Sequence, residues 1–430
     1  MTMLKEMTSD REERYRLLLE LSQRIGSTFD LQEILVRLLE SVHLAVEYDA
    51  AGVFVLSSAV GRKPERGGRM IAAMAAVGFD PDPSREDPML RSGKGIIGHV
   101  IRTGESVIAP DVLVEPHYVA GRAQTLSEVA VPISSGGRVI GALNLESDRL
   151  GAFSADHAPM LASFATAAAI FIDKAILHHQ VLEKQHLDHQ LALAREVQAS
   201  LLPALPPEVP GYDIAGINVP TMEVGGDYFD YIPLSRDRLG LVVADVSGKG
   251  VPAALIMAMF RAALRTELRH EGPIVDAVDS VNRLLMDSMA ASRFVTAVYG
   301  ILEPSTGRFT YVNCGQTPPM LLKARGETVW LDRGGPALGM PLAGARETAS
   351  VWLETGDVLA LYTDGVVEVF AEDDEFGVAR LEQVLRATAS EGAAHAISAV
   401  VNATQSHAGR SDYDDDFTLA VVRKLPGIGA

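Results

Sequence analysis

The chain has 430 residues, 47% of them hydrophobic and 22% charged. That balance supplies cores for two or three folded domains and argues against a disordered chain. A formal charge of −18 argues against a nucleic-acid-binding surface and against attraction to anionic lipid, and the one cysteine, Cys314, excludes an internal disulfide and suits a reducing cytoplasm.

The N-terminus, MTMLKEMTSDREERYRLLLEL, has no apolar stretch between its charges, so neither a signal peptide nor a membrane anchor is expected there, and residues 1–19 read as a helical lead-in. From Tyr15 to Glu47, Leu17, Leu21, Ile25, Ile34, Leu35, Leu38, Leu39 and Val42 recur at helical spacing. GSTFD (Gly26 to Asp30) breaks the stripe, so two amphipathic helices are expected, the second capped by Asp30. Ala51 to Leu56 and Met70 to Val77 read as strands of one sheet, separated by a Gly, Arg and Pro-rich loop at residues 61–68. Val129 to Ile133 and Val139 to Leu145 form a hairpin whose turn is SSGGR, Ser134 to Arg138. Between these pairs, Gly93, Gly95 and Gly98 spell a dinucleotide fingerprint, but a polar, proline-containing loop (DPMLRS) precedes them where a strand is required. Turn and helix-start roles account for these glycines, and His99 and His117 read as ordinary polar residues rather than haem ligands.

Met160 to Ile172 (MLASFATAAAIFI) is the most apolar run and, at thirteen residues, is too short to span a bilayer. Neither Gly nor Pro interrupts Met160 to Leu202, which allows a helix of roughly 60 Å. Leu187, Leu191, Ala194, Val197 and Leu201 keep an apolar stripe, which predicts a connector that forms a parallel dimer as a coiled coil, with packing against the catalytic half as the alternative. PALPPEVP, Pro203 to Pro210, ends it.

The C-terminal half carries a recurring pattern. Leu239 to Ala244 reads as a buried strand ending in Asp245, followed by a VSGKG turn and a helix from Val251 to Glu267. Gly225 and Gly226 allow a close backbone approach just before Asp227. A second apolar run, VLALYTDG, ends in Asp364, and DDDFTLAVV leads three aspartates, Asp414 to Asp416, into another strand. The segment otherwise reads as strands with helices at Val251 to Glu267 and Pro273 to Ala290, then a hairpin of Phe294 to Leu302 with Gly307 to Val312. Carboxylates at the ends of adjacent strands suit hard divalent cations, magnesium or manganese, and two such ions can hold a water or hydroxide in line with phosphorus. SGKG is no phosphate-binding P-loop, because Val243 stands where its first glycine belongs and Gly250 follows Lys249.

Residues 193–424 resemble the RsbU-type and SpoIIE-type branch of the PPM metal-dependent serine/threonine protein phosphatases. The resemblance rests on AREVQASLLP, VGGDYFD, DVSGKGVPAALIMA, YVNCGQTPP, YTDGVVE and DDFTLAVVR, in that order. It implies two Mn2+ or Mg2+ ions held by Asp227, Asp245, Asp364 and Asp415, with the Val246 carbonyl contributing, Asp245 bridging, and Asp416 as the alternative to Asp415. Through metal-bound water these aspartates would be the catalytic residues, with Asp230 holding such a water. Lys249, Asn313 and Gln316 are placed near the substrate; the family often has alanine and histidine where Cys314 and Gln316 stand. Residues 20–175 resemble a GAF domain, through GKGIIGHVIRTGESVIAPDV, the VAVPI and VIGALNLES strands and FSADHAPMLASFATAAAIFI. That resemblance implies a sensor whose ligand the sequence does not identify.

The expected architecture is α+β: residues 1–19 as lead-in, a GAF-like sheet with flanking helices over 20–175, a long connector helix over 176–203, an α-β-β-α sandwich of two antiparallel sheets over 204–424, and a tail over 425–430. The expected function is a cytoplasmic, homodimeric, sensor-regulated phosphatase acting on a phosphorylated protein, an anti-sigma-factor antagonist by family resemblance. No nucleic acid or membrane partner is expected. Two alternatives are a phosphatase of small phosphate esters and a ligand-binding dimeric regulator whose phosphatase-like half is a weakly active or inactive docking domain.

Overall fold

The computed structural model describes residues 16, 19–60, 71–79, 94–270, 272–289, 292–341 and 345–426. They belong to two compact units, Met1–His186 and Leu187–Ala430. The loop expected at 61–68, the stretch DPMLRS and Gly93 lie outside the described residues.

In the N-terminal unit, α1 (Leu31–His43) begins where Asp30 accepts a hydrogen bond from the Glu33 amide at 2.8 Å, so the capping expectation holds. Five strands, β1 (Ala50–Leu56), β2 (Ile71–Val77), β3 (Val107–Ala109), β4 (Ser127–Ser135) and β5 (Arg138–Ser147), pair in the order β2-β1-β5-β4-β3. Gly136 and Gly137 both take positive φ, 56° and 77°, which is the backbone that a two-residue hairpin needs between right-twisted strands. One face of the sheet buries Val53, Val131 and Leu143 against Leu35 and Leu38 of α1 and against Leu161, Phe164, Ala168 and Ile172 of α3 (His157–Leu201). The other face carries α2 (Gly95–Thr103), through Ile96 and Val100. Gly95 opens that helix and Gly98 lies within it, as their helix-start reading expects.

The apolar run at 160–172 belongs to a helix of 45 residues that continues without a break through the boundary expected at 175. Part of α3 is thus long and apolar enough to cross a bilayer, which corrects the argument from thirteen residues. Leu161, Phe164, Ala168 and Ile172 on it belong to the core of the N-terminal unit, while Ile170 and Leu177 are exposed.

The C-terminal unit is a sandwich. Its strands are β6 (Tyr212–Val219), β7 (Tyr228–Ser235), β8 (Arg238–Val246), β9 (Val295–Glu303), β10 (Arg308–Cys314), β11 (Met320–Leu322), β12 (Thr328–Trp330), β13 (Gly334–Gly335), β14 (Ala349–Trp352), β15 (Val358–Tyr362), β16 (Phe370–Ala371), β17 (Asp374–Glu375) and β18 (Phe417–Lys424). One sheet runs β13-β10-β9-β8-β7, with β14 also on β10; the other runs β12-β11-β15-β18-β6, and β16 pairs with β17. Alternation puts Phe229, Leu241, Val243, Phe309, Leu359 and Val422 between the sheets. The opposite residues of the first sheet pack under α4 (Val251–Glu267) and α5 (Ile274–Ser288), and those of the second under α6 (Gly377–Thr388) and α7 (Ala393–Ala408). The α-β-β-α layering is as expected, with a correction: α6 and α7 join the two inserted helices expected from sequence. α6 begins at Gly377 and α7 lies between Gly392 and Gly409.

Candidate active site

Strand pairing brings the aspartates together as two pairs, one in each sheet. Tyr228 pairs with Ala244, so Asp227 before β7 and Asp245 near the end of β8 lie side by side. Tyr362 pairs with Leu419, which sets Asp364 just after β15 beside the Asp415–Asp416 lead into β18. The four segments share one end of the sandwich.

Asp227 is almost wholly buried, and its Oδ2 accepts hydrogen bonds from the Thr363 hydroxyl at 2.8 Å and the Thr418 hydroxyl at 2.6 Å. Both threonines come from the opposite sheet, so these bonds also tie the sheets together at the site. Burial, then the charges of Asp364, Asp415 and Asp416, push Asp245 up to about 7. Burial and then Asp245 raise Asp227 well above the usual carboxylate range, and burial and then Asp415 raise Asp364.

The adjacent Asp415 and Asp416 differ in surroundings. Asp416 is buried: its Oδ1 accepts from the Thr221 amide and hydroxyl, and its Oδ2 from the Gly226 amide at 2.7 Å. A Cβ on Gly225 would stand 2.5 Å from Asp416 Oδ2, and one on Gly365 would stand 2.1 Å from the Asp416 carbonyl, so only glycine admits this carboxylate between the two loops. Asp415 is half-exposed and meets the Lys249 ammonium at 3.1 Å, and Lys249 also donates to the Asp414 carbonyl at 2.6 Å.

Other expected positions lie elsewhere. Asp230 accepts two hydrogen bonds from Arg265, at 2.7 and 2.8 Å, plus the Tyr228 hydroxyl and the Tyr231 amide. Those partners fasten α4 to β7 and occupy the carboxylate away from the strand ends. Asn313 and Gln316 are buried: Asn313 bonds the Gln316 and Leu331 carbonyls and the Gln316 amide, while the Gln316 side chain meets Thr296 and the Tyr362 carbonyl. They hold the turn after β10 and offer no exposed group to a substrate. Cys314, beside them, is buried and its thiol is pushed up to about 11 by burial, as a structural role expects. Thr221, Thr363, Thr418 and Gln198 were not singled out from sequence. Gln198 of α3 brackets Gly225, donating to its carbonyl at 2.7 Å and accepting from its amide at 3.0 Å. All but Thr221 lie inside the motifs that carried the resemblance, which is the signal that could have found them.

The donor set fits hard divalent cations: it is all oxygen, and its carboxylates repel one another with Lys249 offsetting Asp415. Among the described residues no three acidic, histidine or cysteine side chains close tightly on one point, so the fit is one of chemistry and placement rather than a closed chelate.

Residues 235–425 match the family Stage II sporulation protein E (SpoIIE), and residues 29–173 match the GAF domain. The chain is 28% identical over 255 residues to the phosphoserine phosphatase RsbU of Bacillus subtilis, covering 58% of this chain and 75% of that one. It is 28% identical over 261 residues to protein IcfG of Synechocystis, covering 54% of this chain and 41% of that one. A solved structure of the RsbU and RsbW domains of a Mycobacterium tuberculosis protein is 31% identical, with a TM-score of 0.45, over 51% of this chain and 61% of that one. The chain therefore joins a GAF domain to a SpoIIE-type phosphatase domain of the PPM class, a class of metal-dependent protein phosphatases. It is homologous to the RsbU-type phosphatases.

Proposed function

We propose that this chain hydrolyses phosphoserine or phosphothreonine on a protein in a sigma-factor regulatory pathway, with an anti-sigma-factor antagonist as substrate, and that its N-terminal unit controls the rate. The observation that carries the reading is the convergence of Asp227, Asp245, Asp364 and Asp415 from four strand ends onto one end of the sandwich. Two manganese or magnesium ions would be held by these four side chains and the Val246 carbonyl. Bound there, the cations supply an activated water nucleophile and offset charge on the phosphoryl oxygens.

The chain's own residues prepare that end. Thr363 and Thr418 fix Asp227 in one orientation. Asp416 acts behind the site rather than in it, locking Gly226 and Thr221 so that Asp227 is presented at the strand end. The guanidinium of Arg293 donates to the Ser247 carbonyl at 2.6 Å and the Ser247 hydroxyl accepts from the Phe294 amide at 2.9 Å, which stiffens the turn after Asp245. Lys249, half-exposed beside Asp415, stands where an incoming phosphoprotein's anionic group would meet it. A homodimer in the cytoplasm, joined through the connector, belongs to the same proposal.

The test is manganese-dependent phosphate release from a phosphoserine peptide, a phosphothreonine peptide and ATP by the full chain. The reading expects release from the peptides and little from the nucleotide. Preference for ATP would move the chain to small phosphate esters. Release from none of them, with manganese bound, would favour the docking-domain alternative.

A further inference from the structure

Helix α4 carries no polar side chain in its first ten residues, Val251 to Phe260. Ala253, Met257 and Phe260 are buried against the first sheet of the sandwich, which accounts for one face. Val251 and Leu255, four residues apart and therefore on one outer face, are 45% and 67% exposed. A surface helix ordinarily turns charged or polar residues outward, and one that is apolar all round is covered all round. Met222 extends the same surface: it is 49% exposed, and its sulfur lies 3.7 Å from where a Cβ on Gly250, the residue that precedes α4, would stand.

This surface borders the candidate active site. Lys249, immediately before Gly250, meets Asp415 at 3.1 Å. Ala253, on the inner side of the same turn of α4, lies 3.2 Å from where a Cβ on Gly226 would stand, next to Asp227. Met222 follows Thr221, whose amide and hydroxyl are bonded to Asp416. A folded phosphoprotein that brings its phosphorylated residue to Asp245 and Asp415 then sets the residues around it over Lys249 and the apolar side chains beside it. Charge offers little to draw it there, because the chain carries a formal charge of −18 and Lys249 is already engaged by Asp415. A second copy of the chain seated on the same surface would cover Lys249 and close this end to a protein substrate.

We propose that Met222, Val251 and Leu255 are a docking surface for the substrate phosphoprotein, receiving apolar side chains that flank its phosphorylated residue. The inference rests on the phosphatase reading above and narrows it: the preferred substrate carries its phosphate in an apolar stretch of protein rather than among acidic or basic residues. Burying one leucine-sized side chain of the substrate here strengthens binding by about tenfold or more. The contact is apolar, so it holds as salt rises, whereas an attraction through Lys249 alone would be screened.

The experiment compares two phosphoserine peptides of equal length and charge, one with leucines and one with glycines beside the phosphoserine, on the full chain with manganese. Fluorescence anisotropy gives Kd and phosphate release gives KM, so binding is read apart from turnover. Wild type is expected to hold the leucine-flanked peptide about tenfold more tightly, in Kd and in KM. Leu255→Ser and, independently, Met222→Ser, whose position lies outside any helix or strand, are expected to remove most of that preference. Equal binding of the two peptides by wild type, or a preference kept by both variants, overturns the inference. Sedimentation velocity identifies the other occupant: a dimer present in wild type and lost in Leu255→Ser, with the peptide preference kept, assigns the surface to a second copy and overturns it as well. A binding preference without phosphate release from either peptide would defeat the phosphatase reading and leave the docking surface standing.

Discussion

In the C-terminal unit Asp227 stands at a strand end and takes two threonine hydroxyls, whereas in the N-terminal unit Glu128 and Glu146 face each other across a ladder and share one asparagine amide. Both regions bury like charges, and both raise the protonation range of the acids that hold them. They differ in what stands behind the acids. At the strand ends, hydroxyls and backbone amides fix Asp227 and Asp416, while Asp245, Asp364 and Asp415 are only partly buried, open to a cation from outside. Inside the ladder the acids are closed over by α2 and an apolar face.

Asp230 gives the reference for a buried carboxylate whose partners are complete, and it carries the largest expected effect. Arg265→Met leaves that charge buried and unpaired and should lower stability by about 2–4 kcal/mol, reduced from the fully buried case because Arg265 is partly exposed. Urea unfolding measures it, and adding Asp230→Asn to the same chain should recover most of the loss. If Arg265→Met were neutral, completeness of partners would not be what distinguishes Asp230 from the site aspartates.

Next comes Asp245→Asn. Phosphate release should fall by at least about 100-fold, while the metal-free protein should melt higher, since one of several mutually repelling buried acids is gone. A fall in both would mean that Asp245 is structural, the role proposed for Asp416.

Thr418→Val removes one of the two hydroxyls on Asp227. About 1–2 kcal/mol of stability should be lost, with manganese affinity weaker by about 10- to 100-fold; calorimetric titration separates the two. An affinity unchanged by this substitution would place the support of Asp227 elsewhere.

The smallest effect sharpens the other side of the comparison. Glu128 is raised from its ordinary range to about 8, so its folded state binds a proton that the unfolded state releases near 4.5. Its contribution to stability is therefore present below about 4.5 and is lost as the pH rises through about 8. Glu128→Gln should flatten that decline and raise the melting temperature near pH 8 by a few degrees. Glu146 and Glu115 add to the same slope by repulsion, and Asn144 opposes it.

Much of this arrangement was legible from sequence. Asp245 stood at the end of an apolar run bounded by turn residues, and β8 and α4 formed where that pattern put them, as did Asp30 as a cap. The recurring strand-end aspartates followed from the same local signal. What was not legible depended on long-range pairing. DDD gives no local reason for Asp416 to turn inward; the reason is the Gly226 amide and Thr221, nearly two hundred residues earlier in the chain. The family resemblance gave Asp230 a metal-bound water to hold, yet Arg265 on α4 donates to its carboxylate twice. Gln316 carries a polar side chain inside a motif, and only the packing of β10 against β15 shows it facing the Tyr362 carbonyl. The opposed pair Glu128 and Glu146 needed the register of β4 on β5, which the turn residues fixed but composition did not announce.

The central claim of the proposal is that Asp227, Asp245, Asp364 and Asp415 hold the metals, while Asp416 fixes the loops behind them. The most direct measurement is manganese-dependent phosphate release from a phosphoserine peptide by wild type, Asp415→Asn and Asp416→Asn, with manganese affinity and urea stability recorded on the same samples. The account predicts that Asp415→Asn loses turnover and manganese affinity with stability kept, while Asp416→Asn loses stability first, by about 1–3 kcal/mol. Full activity in Asp415→Asn, with manganese affinity lost only in Asp416→Asn, would contradict it.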